Sequence, residues 1–162
     1  MARTHKATPV RAWIRLLMCS HMIESQVRGR LRAEFESTLP RFDVLAQLEM
    51  MEAAKPEGLT MSELSRRLMV SNGNLTGLTS RLLREHLVER VPSVDRRRQR
   101  VRLTAAGRRA FGRMASAHRS WLQEMFRGLE GEELEHFYGA LGTLRDSIQI
   151  ALEREPLETR SA

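Results

Sequence analysis

Residues 59–111 read LTMSELSRRLMVSNGNLTGLTSRLLREHLVERVPSVDRRRQRVRLTAAGRRAF, and the reading of this stretch decides the fold. It opens with Thr60-Met61-Ser62-Glu63, the form of a capping box, in which a threonine hydroxyl and a glutamate carboxylate three residues on satisfy each other's orphan amides. A short helix is therefore predicted to run to about Leu68. After a tight turn, Ser71 is placed to cap a longer helix over 72–85. Its leucines Leu75, Leu78, Leu82 and Leu83 face inward, and Asn72, Asn74, Thr76 and Arg81 face outward. Short helix, turn and longer polar-faced helix is the pattern of a helix-turn-helix. The β-prone stretches 88–92 and 99–103 then flank Ser93-Val94-Asp95-Arg96-Arg97-Arg98, which predicts a hairpin with an arginine tip.

Upstream, Thr8-Pro9 reads as an N-cap followed by proline at the first helical position. Trp13, Leu16, Leu17, Ile23, Val27, Leu31 and Phe35 then recur in helical steps, a long helix ending near Thr38. Pro40 opens a second helix with Val44, Leu45, Leu48 and Met51 on one face, closed by the turn Lys55-Pro56-Glu57-Gly58. Downstream, Thr104 is a cap for a helix carrying Phe111, Met114, Ala115, His118, Leu122, Met125 and Leu129, broken between Gly128 and Gly131. The last helix spaces Leu134, Phe137, Leu141, Leu144, Ile148 and Ala151 by alternating threes and fours, as in a coiled-coil seam. The expected fold is mainly α with a small β-hairpin wing, one compact domain overall: a winged helix-turn-helix at 58–110 between helices at 1–57, for dimerisation and hinge, and helices at 111–162 for dimerisation.

Charge locates the partner. Between Thr60 and Ala110 stand twelve arginines and four acids, whereas the rest of the chain has one more acid than base. The whole positive surplus of +7 thus lies in the middle third, the footprint expected for binding phosphates. Asparagine at the start of a helix can read adenine edges in a major groove, and hydroxyls and helix N-terminal amides hold phosphates. Ser71, Asn72, Asn74 and Thr76 have that chemistry, although local capping alone also favours such residues at a helix start. The five arginines from Arg96 to Arg102 repel one another unless DNA phosphates or a narrow minor groove neutralise them. Asp95 can hold one guanidinium in place. Exposed aromatics that would stack on unpaired RNA bases are missing from this region.

Taken together, Leu64-Ser65-Arg66-Arg67-Leu68, the helix from Asn72 to Leu83, Val88-Glu89-Arg90, Asp95-Arg96-Arg97 and Leu103-Thr104-Ala105-Ala106-Gly107 resemble the winged helix-turn-helix of the MarR family. The flanking helices match that family's dimerisation region. The resemblance implies a homodimer on a pseudopalindromic DNA operator, usually a repressor. Arg97 would enter the minor groove, Asp95 would buttress the wing with Arg96 and Arg98 beside it, and Arg81 would hold the backbone. Two positions depart from the family. His86 stands where a left-handed glycine is usual, and Gly77 where a larger polar residue is common, which implies a close backbone approach or reduced side-chain readout.

Members of this kind are released by small aromatic acids, lipid-like thioesters, oxidants or metals. Val70-Ser71-Asn72-Gly73-Asn74 resembles relatives tied to aromatic-acid catabolism, which implies an aromatic acid or its CoA thioester as effector. Arg11, Trp13, Leu17, His21, Met50 and Arg119 offer the mix of aromatic, pliable and cationic groups that an amphipathic pocket needs, and core packing or plain solvation accounts for the same residues equally well. The alternatives are an effector-independent architectural DNA-binding protein and a redox-responsive regulator acting through Cys19, the single cysteine. No metal or cofactor is expected, because the histidines show no ligand spacing and no glycine-rich phosphate loop or nucleophile elbow is present. An enzyme is excluded on the same content. With no secretory leader or long apolar run, the expected location is the cytoplasm, with no membrane contact.

Overall fold

The computed structural model describes residues 7–92 and 99–154, in two compact units that divide after Leu122. Helix α1 spans Pro9–Phe35, with the Thr8 hydroxyl accepting from the Arg11 amide. It ends three residues before the predicted Thr38, because Glu36 turns left-handed at φ 49 and sends its N–H to the Leu31 carbonyl. Helix α2, Leu39–Met51, has Pro40 in its first turn. Strand β1, Leu59–Thr60, leads into helix α3, Met61–Leu68, and helix α4, Asn72–Arg84, follows a short turn. Strands β2, Val88–Val91, and β3, Arg100–Leu103, form the wing's base, and helix α5 spans Ala105–Met125.

The sheet has three strands where two are predicted. Its order is β1-β3-β2, antiparallel throughout, with Leu59 opposite Val101 and Val88 opposite Leu103. A two-residue strand carries no period-2 signal of its own, and its pairing depends on Gly58. At φ 84 this glycine lies so close to β3 that a β-carbon would stand 2.3 Å from the Val101 carbonyl oxygen. Gly107 does the same for α5: a β-carbon there would meet the Leu87 carbonyl oxygen at 1.9 Å. The Thr104 hydroxyl completes this joint, accepting from the Gly107 amide at 2.9 Å and donating to the His86 carbonyl at 2.7 Å.

The core of this first unit gathers Leu31, Val44, Leu45, Leu59, Leu64, Leu75, Leu82 and Val88 at nearly zero exposure. Phe42 on α2 packs its ring 5.5 Å from Phe111 and 4.9 Å from His118, both on α5. Trp121 is buried beside Phe35 and belongs to the core. Along α1 only Val27 and Leu31 are buried. Trp13, Leu17, Met18 and Met22 of the predicted stripe and its flanks are exposed, because no described residue of the same unit covers the amino-terminal part of this helix. In the second unit, helix α6, Glu132–Arg154, likewise exposes Leu134, Phe137, Leu144 and Ile148. No helix among the described residues is long and apolar enough to cross a membrane.

Candidate nucleic-acid interface

The start of α3 is the anchor of the site. Glu63 closes the capping box, accepting from the Thr60 amide at 2.8 Å while its own amide donates to the Thr60 hydroxyl at 3.2 Å. The same carboxylate receives Lys55 from the preceding turn and Arg100 from β3 at 3.5 Å. The Lys55 hydrogen bond, then the Thr60 amide, hold its pKa down to about 2 against an ordinary 4.5. One side chain thus ties the helix-turn-helix to the base of the wing. A second clamp joins α2 to the end of α4, where Arg41 grips the Glu85 carboxylate through two hydrogen bonds, one of 2.9 Å. Sequence reasoning missed it, since forty-four residues separate the partners and neither lies in a local motif.

Helix α4 presents the predicted outer face. Gly73, Asn74, Thr76, Gly77, Ser80 and Arg81 are exposed, while Leu75 and Leu82 are buried and Leu78 and Leu83 partly so. Ser71 stands at the N-cap position as predicted but makes no side-chain cap bond, and its carbonyl accepts from the Leu75 amide. The side chain of Asn72 lies outside the described set. The first turn of α4 contains no acid and the last contains Arg81 and Arg84, so the helix dipole leaves its start electropositive. Thr79 is also buried, with a hydroxyl oxygen that has no hydrogen-bond partner among the described residues. Its spacing of four from Leu75 and three from Leu82 was the available signal. A β-carbon at Gly77 would meet nothing within 4 Å, so no close approach explains this glycine, and it leaves the helix surface open.

The helix ends in a Schellman motif: the His86 amide donates to the Leu83 carbonyl and the Leu87 amide to the Leu82 carbonyl. His86 takes the left-handed conformation itself, at φ 56, so the turn keeps its form without glycine.

The arginines separate into two groups. Arg100 donates to the Gly58 carbonyl at 2.9 Å and faces Glu57 and Glu63, Arg102 pairs with Glu89 at 2.7 Å across the β2–β3 ladder, and Arg108 pairs with Glu52. Two of the five wing arginines read from sequence as mutually repelling are therefore neutralised by acids from neighbouring elements. Arg67, Arg81, Arg84, Arg90 and Arg109 are exposed and make no ion pair among the described residues. Asp95, Arg96, Arg97 and Arg98 lie outside the described residues.

A cleft of about 690 Å³ separates α4 from α1 and α2. Leu39, Pro40, Leu75 and Leu78 supply apolar wall, Gly73 and Gly77 open it, and Arg28, Arg81, Glu24 and Asp43 bring charge. Arg28 is engaged by Glu24 at 2.5 Å. Burial, reinforced by the nearby Glu24 carboxylate, pushes the Asp43 carboxyl upward. None of the residues chosen for an effector lines this cleft. Arg11, Trp13, Leu17, His21, Met50 and Arg119 are all exposed in the single chain. His118, half-buried among aromatics, has its pKa lowered by desolvation. Cys19 is exposed. No group of three potential metal ligands stands together among the described residues.

These features match known proteins. The sequence model of the MarR family matches residues 38–99. The transcriptional activatory protein BadR of Rhodopseudomonas palustris is 34% identical over 128 residues, which are 78% of this chain and 67% of BadR. A MarR family transcriptional regulator from Silicibacter pomeroyi, 29% identical, superposes with a TM-score of 0.70 over 86% of this chain and 94% of that one. The S. aureus MepR–DNA complex, at 21% identity, shares the fold with a TM-score of 0.67 over 87% and 96% of the two chains. Helix-turn-helix, three-stranded wing and flanking helices agree with these relatives, and the chain belongs to the MarR family of transcriptional regulators, with its winged-helix DNA-binding fold.

Proposed function

We propose that the chain is a cytoplasmic, sequence-specific regulator that binds a pseudopalindromic DNA operator as a homodimer and is released by an aromatic acid or its CoA thioester. One observation carries the DNA-binding part: α4 exposes Asn74, Thr76 and Arg81 on a helix whose start is electropositive, flanked by arginines that no acid of the described chain neutralises. In this reading Ser71, Asn72, Asn74 and Thr76 meet the major groove, and Arg81 holds a phosphate. Asp95, Arg96, Arg97 and Arg98 form the wing's contact with the minor groove and backbone. Residues 58–110 do the binding, while 1–57 and 111–162 supply dimerisation. The exposed apolar groups of α1 and, separately, of α6 support a second copy as their cover.

The effector rests on Arg11, Trp13, Leu17, His21, Met50 and Arg119, whose exposed aromatic and cationic groups gain a wall only when a second protomer packs on α1. The cleft beside α4 supports a second seat, since a cavity of its size suits a small organic acid and Arg81 stands at it. Repression follows if the operator overlaps the promoter. BadR is named as an activator, so an operator placed upstream of the promoter, with activation, is the second reading.

Calorimetric titration with benzoate- and cinnamate-type acids and their thioesters, followed by competition against operator DNA, tests the switch. A ligand that binds must lower DNA affinity by the factor by which DNA lowers its own. Release by mild peroxide that requires Cys19, with no acid bound, would replace this reading with the redox one.

A further inference from the structure

The turn between α3 and α4 holds a methionine in a costly place. Met69 has φ 53 and ψ 37, the left-handed region in which a β-carbon crowds the following carbonyl. It is also 93% exposed, more than any other large apolar side chain among the described residues. The turn itself is firmly held. The amides of Met69 and Val70 both donate to the Ser65 carbonyl, and the Ser65 hydroxyl donates to the Val70 carbonyl at 2.6 Å. Position 69 is therefore fixed by these hydrogen bonds, while its thioether is left uncovered by the described residues. Arg66 and Arg67 close the helix before it, and the electropositive start of α4 follows three residues later.

We infer that Met69 is an apolar DNA contact, its thioether resting on a thymine methyl or a deoxyribose beside the bases that α4 meets; this rests on the regulator reading above. Residues at the start of a recognition helix reach base edges, so the turn that leads into it stands at the rim of the groove. The thymine methyl is the apolar group the major groove offers, and a flexible, polarizable side chain adapts to it. An apolar contact at this rim adds affinity that salt does not screen, unlike an arginine–phosphate contact.

The test uses the full-length protein and a duplex recovered by selection from a random library. Wild type, Met69→Leu, Met69→Asn and Met69→Gly are titrated with that duplex and with copies in which each thymine in turn is replaced by uracil, which lacks only the methyl. Asparagine and glycine both accept the left-handed conformation, so they keep the turn while removing the apolar group. Both should melt no lower than wild type, and Met69→Asn about 2 °C higher. Each should bind the duplex about fivefold more weakly. The salt slope should stay unchanged, because no charge is altered, and Met69→Leu should remain within about twofold of wild type. A uracil that weakens wild type but not Met69→Asn identifies the methyl; equal weakening of Met69→Asn on thymine and uracil duplexes identifies the sugar. Undiminished affinity in both Met69→Asn and Met69→Gly overturns the inference, whereas failure of wild type to select any duplex overturns the regulator reading itself.

Discussion

Single residues set the frame of this molecule more than their neighbours suggest. Glu63 caps α3, receives Lys55 and faces Arg100, with only 18% of its side chain exposed. Its folded-state pKa of about 2 lies below the ordinary 4.5, so between those values the unfolded chain binds the proton first. Stability from this carboxylate is complete above about pH 4.5 and is lost as pH falls toward 2, on the order of 2–3 kcal/mol. Thermal melts across that window should fall steeply for wild type and less steeply for Glu63→Gln; parallel curves would remove Glu63 as the anchor. Gly107 is the counterpart at the wing. A β-carbon 1.9 Å from the Leu87 carbonyl oxygen meets backbone, which has no easy way to give. Gly107→Ala should therefore cost about 3 kcal/mol or more in urea unfolding, as overpacking at a rigid joint does. A loss under about 1 kcal/mol would show that α5 can slide off β2.

At the scale of elements, five of the six helices were legible from their starts: Thr8-Pro9, Pro40, the Thr60–Glu63 box, Ser71 and Thr104 all fall at or beside an observed helix start, whereas α6 was read from its apolar spacing. Features made by distant partners were not legible. Strand β1 exists through its pairing with β3, and the Arg41–Glu85 clamp joins residues with no local pattern. The wing was half legible. Its arginines were recognised as a charge surplus, but only the fold shows that Arg100 and Arg102 are paired with acids from other elements. The pairing of Arg102, set beside the role proposed for Arg97, makes a prediction about roles within the interface. Arg97→Ala should weaken binding to all DNA sequences alike and lower the salt slope by about 1, because a wing arginine meets phosphate and minor-groove potential. Arg102→Ala, deprived only of an exposed pair with Glu89, should leave the salt slope where it was. Filter binding across a salt series distinguishes them; identical slopes for the two variants would contradict the role proposed for Arg97.

At the scale of the whole molecule, the exposed apolar residues of α1 and α6 call for a second copy, and the DNA geometry calls for the same. Two recognition helices meet successive major grooves about 34 Å apart on one face of a duplex, which a symmetric dimer provides. Light scattering at micromolar concentration should return about 37 kDa for a chain of 18.6 kDa; a monomer there would remove the two-half-site arrangement. A ligand that favours any other spacing of the two winged regions then weakens DNA binding without touching a base contact. The central claim, that α4 reads sequence, is tested most directly by fluorescence anisotropy of the wild-type protein and Asn74→Ala. Each is titrated at one salt concentration with a selected palindromic duplex and with a scrambled duplex of equal length. Wild type should prefer the selected duplex by about 10³-fold or more, and Asn74→Ala should lose at least about tenfold of that preference while keeping its affinity for the scrambled duplex. Equal affinity of wild type for both duplexes, or an Asn74→Ala variant with its preference intact, would contradict the placement of the reading face on α4.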